Sequence, residues 1–161
     1  MTFDELSDAL AASRSARNLN TRQGADMNQA NKNGREFRED MRAILRLRGF
    51  EPERKVYRPV WATEGSTHFV DFAVGADIAI ECTFQRTSGS ADVKVFADIY
   101  SASVALDCRH YVVVLGGQHW ESPRGMAIAS AARDFAARES TDQKQLHVMT
   151  LWEFREWLKT P

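Results

Sequence analysis

Two carboxylates, Asp71 and Glu81, lie in a stretch, residues 67–94, whose first part alternates like two short strands joined by a tight turn. Val70, Phe72 and Val74 alternate with Phe69, Asp71 and Ala73; Ile78, Ile80 and Cys82 alternate with Ala79, Glu81, Thr83 and Gln85. Side chains two apart along a strand share a face. Val74-Gly75-Ala76-Asp77 supplies turn residues between the strands. The predicted hairpin therefore has one apolar face and one carrying Asp71, Glu81, Thr83 and Gln85. Two bare carboxylates on neighbouring strands repel, and one is driven to hold its proton. A hard divalent cation such as Mg²⁺ removes the conflict, because it accepts one or two carboxylates beside water and phosphate oxygens. The same alternation fits an ordinary hairpin with a solvated acidic face, so the residues that follow have to decide.

They run Glu81-Cys82-Thr83-Phe84-Gln85, then Ser88-Gly89-Ser90-Ala91, then Lys94. With Asp71, this run resembles the core of the PD-(D/E)xK nuclease superfamily. It is most similar to restriction-endonuclease-like members with an E-C-K-W-Q, S-G-S/T-A, K pattern, and the resemblance spans residues 34–116. In that superfamily the Asp and the Glu hold a divalent metal, joined by the backbone carbonyl after the Glu, and a Lys two residues beyond the Glu positions or activates the attacking water. Carried over, this implies Asp71, Glu81 and the Cys82 carbonyl as ligands of Mg²⁺ or Mn²⁺. Thr83 stands where the family has its Lys, a departure, and Lys94 is the cation available to replace it. Gln85, on the Glu81 face, is expected to touch water or phosphate. A glutamate on the first helix often points at this metal site, which makes Glu36 a third candidate acid; its first-turn position also suits the helix dipole without any metal.

The elements that must position these groups follow from periodicity. Residues 2–17 read as a short helix with Phe3, Leu6 and Leu10 along one side, too short to be stable alone. Residues 18–33, rich in Asn and Gln, read as a linker or arm. The expected division is an N-terminal helix and arm over 1–33 and a nuclease domain over 34–161. Residues 34–48 predict a helix with Phe37, Met41, Ile44 and Leu45 inward, Arg35, Arg38, Arg42 and Arg46 as a stripe on the opposite side, and Gly49 as its stop. Residues 53–61 predict a first strand. After the hairpin, Ser90 is the expected cap of a helix over 91–106 whose core face is Val93, Phe96, Ala97, Tyr100 and Val104. His110–Gly116 reads as a strand buried on both faces, with His119 and Trp120 in the loop beyond. A helix over Pro123–Glu139, a strand over 146–149 and a helix over 151–159, anchored by Trp152, Phe154 and Trp157, complete an α/β fold: a restriction-endonuclease-like mixed β-sheet flanked by helices.

Composition bounds the function. The 161 residues fit one domain, and the net charge is −1. The charge is uneven: residues 14–58 hold 12 Lys and Arg against 6 Asp and Glu, a net of +6. A basic front half suits a polyanion, and the arginine stripe is the candidate DNA-backbone contact. No apolar run is long enough to span a membrane, no signal segment opens the chain, and Cys82 and Cys108 have no metal-ligand spacing, so a soluble cytoplasmic protein is expected. The expected activity is metal-dependent DNA endonuclease, similar to a small type II restriction enzyme. A homodimer follows if the substrate is a palindromic duplex, with residues 2–17 the segment suspected at its interface. Two alternatives remain open at this point: a cleavage-dead DNA-binding or regulatory module of the same fold, and a protein-interaction domain whose acidic pair is only a solvated face.

Overall fold

The computed structural model describes residues 26–59 and 67–159. The predicted helix over 2–17 lies outside these residues. In chain order the elements are α1 (Asp26–Leu47), β1 (Glu53–Tyr57), β2 (His68–Val74), β3 (Ile78–Phe84), α2 (Ala91–Ala105), β4 (His110–Gly116), a 3₁₀ turn (Gln118–Glu121), α3 (Pro123–Glu139), β5 (Gln145–Thr150) and α4 (Leu151–Trp157). The five strands form one sheet in the order β1-β2-β3-β4-β5. β1, β2 and β3 are antiparallel neighbours, whereas β3, β4 and β5 run parallel. This is the predicted mixed sheet flanked by helices.

Each face of the sheet has its own core. On one side Phe37, Met41 and Leu45 of α1 pack with Phe72, Ile80, Cys82, Val112, Val114 and, from α4, Phe154. On the other, Val95, Ile99 and Ala102 of α2 and Ala129, Ala132 and Ala136 of α3 pack with Val70, Ala79, Tyr111, Val113 and Val148. β4 is buried on both faces, as its unbroken apolar run predicts. Gly49, at φ 79°, ends α1 by donating its N–H to Arg46 O at 2.9 Å, while Phe50 N–H reaches Leu45 O at 3.1 Å. α1 itself starts at Asp26 rather than residue 34, so the last part of the expected arm is helical. The first strand ends at Tyr57, short of the predicted 61.

Two expectations about facing are corrected. Between the pairs Glu53–Ala73 and Lys55–Val70, β1 advances two residues and β2 three, so β2 carries one extra residue, a β-bulge next to Asp71. Val70 is thereby turned to the α2 side with Ala79, away from Phe72, with which it was expected to share a face. The polar side of the hairpin is also covered by α2 rather than open to water.

The second correction is α2. Its inward residues are Asp92, Val95, Asp98, Ile99, Ser101 and Ala102. The expected core residues Val93, Tyr100 and Val104 are 73%, 48% and 60% exposed, and only Phe96 of that set leans inward, against Phe135. The sequence carries two apolar stripes, Val93/Ala97/Tyr100/Val104 and Val95/Ile99/Ala102/Leu106, and periodicity cannot choose between them. The second brings Asp98 and Lys94 against the sheet, where a buried carboxylate is waiting. Ser90 holds the N-cap position, but its side chain makes no capping bond. The other end of α2 is anchored by Lys144, whose ammonium donates to Ala102 O at 2.9 Å, Ser103 O at 3.0 Å and Leu106 O at 2.5 Å, a cation on the negative end of the helix. In α4, Phe154 is buried, but Trp152 is 64% exposed and anchors nothing.

Candidate active site

The β2–β3 ladder pairs Val74–Ile78, Ala73–Ala79 and Phe72–Ile80 and then stops, because past the bulge β2 stays with β1. The two strands fork, and Asp71 and Glu81 are the next residue on each branch. At the fork Cys82 N–H, which a continued ladder would have paired with β2 backbone, donates to Asp71 Oδ2 at 2.9 Å. The other Asp71 oxygen faces Arg38 Nε of α1 at 3.6 Å. Thus the bulge does chemistry: it exchanges a backbone hydrogen bond for a carboxylate placed beside Glu81.

Glu81 is 6% exposed. Its Oε1 accepts from Lys94 Nζ at 3.0 Å, and the same ammonium lies 2.5 Å from Asp98 Oδ2, one turn along α2. Glu81 Oε2 stands 3.8 Å from His68 Nε2, beyond hydrogen-bond length. Tyr57 packs edge-on against the His68 ring. The result is a row of alternating type, His68, Glu81, Lys94, Asp98, in which the two carboxylates are buried and Lys94 reaches solvent.

The charges in this row set one another. Burial works against ionised Glu81, but His68 and Lys94 outweigh it and hold the carboxyl below its usual range. Burial, and then the charge of Glu81, push Asp71 up despite Cys82 N–H and Arg38. Asp98 is also raised by burial, against the pull of Lys94. Lys94 loses stabilisation by burial and regains more from Glu81 and Asp98, so its ammonium is held firmly charged. His68 is raised chiefly by its interaction with Glu81. Burial, with Asp98 and Glu81 adding to it, pushes the Tyr57 hydroxyl up to about 12. Within this row Lys94 is a fixed cation rather than a base.

Do these groups fit the divalent metal that the sequence pattern implies? Among the described residues no three His, Cys, Asp or Glu side chains are grouped as ligands. The donor set is instead two carboxylates, each with one oxygen committed to a protein donor and one without a hydrogen bond: Glu81 Oε2 is buried and unpartnered, and Asp71 Oδ1 has only the longer approach of Arg38. Thr83 Oγ1 is likewise buried and unpartnered. Two carboxylates with room for water is a set that suits Mg²⁺ or Mn²⁺, which complete their shells with solvent and phosphate. The residues fit. The Cys82 side chain meanwhile sits in the α1 core, where burial pushes its thiol well up, so only its backbone belongs to the site.

The remaining predicted residues are spread out. Glu36 is half-buried on α1; two residues from Arg38, it lies on nearly the opposite side of the helix, and no hydrogen bond or ion pair joins it to Asp71 or Glu81 among the described residues. Gln85, just past the end of β3, donates to Thr87 O and lies 3.4 Å from Asp92 Oδ1. Asp92 is the centre of a second buried cluster, with His119 Nε2 at 2.8 Å and Arg124 Nη2 at 3.2 Å. His119 and Trp120 are buried in the 3₁₀ turn rather than presented by a loop. The arginines are not set squarely opposite the core: Arg38 and Arg42 flank it, Arg38 at Asp71 and Arg42 over the Phe72 ring at 5.3 Å. Arg42 also pairs with Glu39 at 2.7 Å and Arg46 with Glu51 at 3.7 Å, and Arg35 is exposed. The family pattern points to neither His68 nor Asp98. Its i+4 spacing from Lys94 was the available signal for Asp98; His68 had none, because the bulge that aims the end of β2 leaves no trace in residue type.

No curated protein and no solved structure gives a significant match to the chain. The family model described as the PD-(D/E)XK nuclease superfamily domain matches residues 29–160, which takes in α1 almost from its start, all five strands and the whole Asp71–Glu81–Lys94 constellation. On that match, the fold it accompanies and the forked pair of carboxylates, the chain belongs to the PD-(D/E)XK nuclease superfamily.

Proposed function

We propose that this nuclease-superfamily protein is a Mg²⁺- or Mn²⁺-dependent DNA endonuclease similar to a small type II restriction enzyme. The observation that carries the reading is the fork: Asp71 and Glu81 on diverging strands, each with one oxygen unbonded, and an ammonium 3.0 Å from Glu81. In this reading Asp71, Glu81 and the Cys82 carbonyl hold the cation, with Glu36 a further acid on the side of α1. The cation, when bound, acidifies water and offsets charge on the phosphate. Lys94 takes the part that a Lys at the Thr83 position has elsewhere in the family. Held charged by two carboxylates, it orients the attacking water and offsets charge on the transferring phosphate, without itself taking a proton. Gln85 touches water or phosphate from its place just past the end of β3. Arg35, Arg38, Arg42 and Arg46 track the DNA backbone and fix register without reading bases. A homodimer would bring two such sites to a palindromic duplex.

A second reading, a cleavage-dead DNA-binding module, is favoured by one observation: Thr83 replaces the family Lys, and its hydroxyl has no hydrogen-bond partner. Incubation with mixed plasmid and phage DNA in Mg²⁺, Mn²⁺ or EDTA separates the two. Metal-dependent discrete fragments are expected; salt-sensitive binding without cleavage selects the module. Lys94→Ala is expected to lower the single-turnover rate by on the order of 10² with DNA affinity retained, and Thr83→Ala to act mildly. A near-normal Lys94→Ala would return that residue to a structural pair with Asp98.

A further inference from the structure

We propose that Asp98 is a positioning residue for Lys94, keeping the ammonium at the reacting phosphate once a cation has taken Glu81. The inference rests on the nuclease reading above. Lys94 Nζ is shared between Glu81 Oε1 at 3.0 Å and Asp98 Oδ2 at 2.5 Å. The two acceptors differ in kind. Glu81 belongs to the fork, where its other oxygen accepts no hydrogen bond and lies 3.8 Å from His68 Nε2. Asp98 belongs to α2 and is 1% exposed.

A divalent cation bound at Asp71 and Glu81 competes with Lys94 for Glu81 and repels its ammonium. The Lys94 side chain is 46% exposed, so water is an open alternative for it. An ammonium with Glu81 as its sole partner would be driven out of the site by the very ion it must work beside. Asp98, at i+4 on the same helix, keeps a second partner where the cation does not bind. It does so at a cost: a carboxylate this deeply buried is held there only because Lys94 lies against it. Asp98 thus performs two tasks through one ion pair. It loosens the hold of Lys94 on Glu81 before the cation arrives, and it retains Lys94 afterwards. An ordinary helix pair at i+4 spacing would do neither, and would leave the metal indifferent to its removal.

The test uses the full chain as Asp98→Asn, Lys94→Ala and the double variant. Mn²⁺ binding is measured by titration calorimetry without DNA, and single-turnover cleavage with saturating Mn²⁺. In Asp98→Asn, Lys94 pairs with Glu81 alone, so Mn²⁺ affinity and cleavage rate should each fall about 10- to 100-fold, with the KM for DNA unchanged. In the Lys94→Ala background the same Asn should change neither Mn²⁺ affinity nor rate much further. Wild-type Mn²⁺ affinity and rate in Asp98→Asn would overturn the proposal. So would an equal loss in the Lys94→Ala background, which would make Asp98 act on the metal directly. Should Asp98→Asn fail to fold, the double variant, with both charges gone, still reports: matching Lys94→Ala supports the proposal and falling well below it does not. A wild-type chain that neither binds Mn²⁺ nor cuts DNA overturns the nuclease reading and this one together; one that does both while Asp98→Asn equals it overturns this one alone.

Discussion

α1 and α2 pack on opposite faces of the same sheet and obey opposite rules. α1 turns its apolar stripe, Phe37, Met41, Ile44 and Leu45, to the sheet and keeps Arg35 and Arg46 toward solvent, with Arg38 and Arg42 on its flanks. α2 leaves Val93, Tyr100 and Val104 in solvent and buries Asp92, Asp98 and Ser101. Burying a carboxylate is unfavourable unless it is paired, and leaving a Val outside forfeits part of the ~1.5–3 kcal/mol that burying it yields. The sheet under α1 offers apolar side chains from β2, β3 and β4. Under α2 the same strands offer Glu81 and His68 as well as the apolar Val70, Ala79 and Val113. α2 has two stripes of similar hydrophobicity, and the one it buries, with Val95, Ile99 and Ala102, is the one that brings Lys94 and Asp98 to Glu81, so its roll marks where a polar partner rather than packing alone decides.

The largest effect that would break this contrast is at Glu81. Glu81→Ala, like Asp71→Ala, is expected to reduce metal-dependent cleavage to background while circular dichroism still reports a folded chain, since the site is built onto a sheet that the two hydrophobic cores hold together. A Glu81→Ala protein that cuts at the wild-type rate would leave the choice of stripe on α2 without a chemical purpose. Next in size is a direct comparison of the two stripes. Leu45→Ala on α1 should cost about 2–5 kcal/mol by urea unfolding, whereas Val104→Ala on α2 should stay within about 0.5 kcal/mol. Equal losses would mean that something covers the exposed stripe of α2 in solution.

Smaller again is the arginine flank. Arg38→Ala and Arg42→Ala should each weaken DNA binding alike on all sequences and flatten its logarithmic salt dependence by about one unit for every phosphate left without its arginine. The structure sharpens this expectation into a difference between the two. Arg38 lies beside Asp71, so its removal should also disturb the metal site, whereas Arg42, over Phe72 and paired with Glu39, should change binding only. An unchanged salt slope in both variants would make the flank plain solvated surface.

Much of this was legible in the chain because it rests on local rules. The unbroken run of β4, the Gly75 turn, the Gly49 stop and the apolar stripe of α1 each follow from a few consecutive residues. Asp71, Glu81 and Lys94 stood out through the family pattern they resemble, since their spacing alone also fits a solvated hairpin face, and the fold brings Glu81 and Lys94 together. What could not be read was decided by tertiary context. The bulge in β2 has no glycine to announce it. α2 offers two stripes of similar hydrophobicity, and the choice lies with Glu81 on a different element. The start of α1 at Asp26 lies in an Asn- and Gln-rich stretch where only intrinsic propensity, a weak prior, speaks for helix.

A second polar pair, at the other end of the parallel strands, makes a control for the fork, and it yields the smallest predicted effect. His110 Nδ1 and His147 Nε2 lie 3.3 Å apart, their rings are stacked, and Trp157 of α4 closes over both. Among the described residues no carboxylate pairs with either imidazole. Burial, and then the neighbouring His110, lower the readiness of His147 to take a proton, the reverse of His68 beside Glu81. The sign of the consequence follows from linkage. With the folded value below the unfolded one, the unfolded chain binds more protons in between, so stability rises with pH across that interval. The contribution of His147 is thus full above the ordinary histidine range and is lost as pH falls through it. His147→Phe keeps a ring against Trp157 and cannot titrate. Melting temperature followed from pH 8 down to pH 5 should therefore fall less for His147→Phe than for the wild type, whatever the offset between them at pH 8. Parallel curves would show that the pair is indifferent to protons. The fork would then be the part of the sheet where titration and function meet.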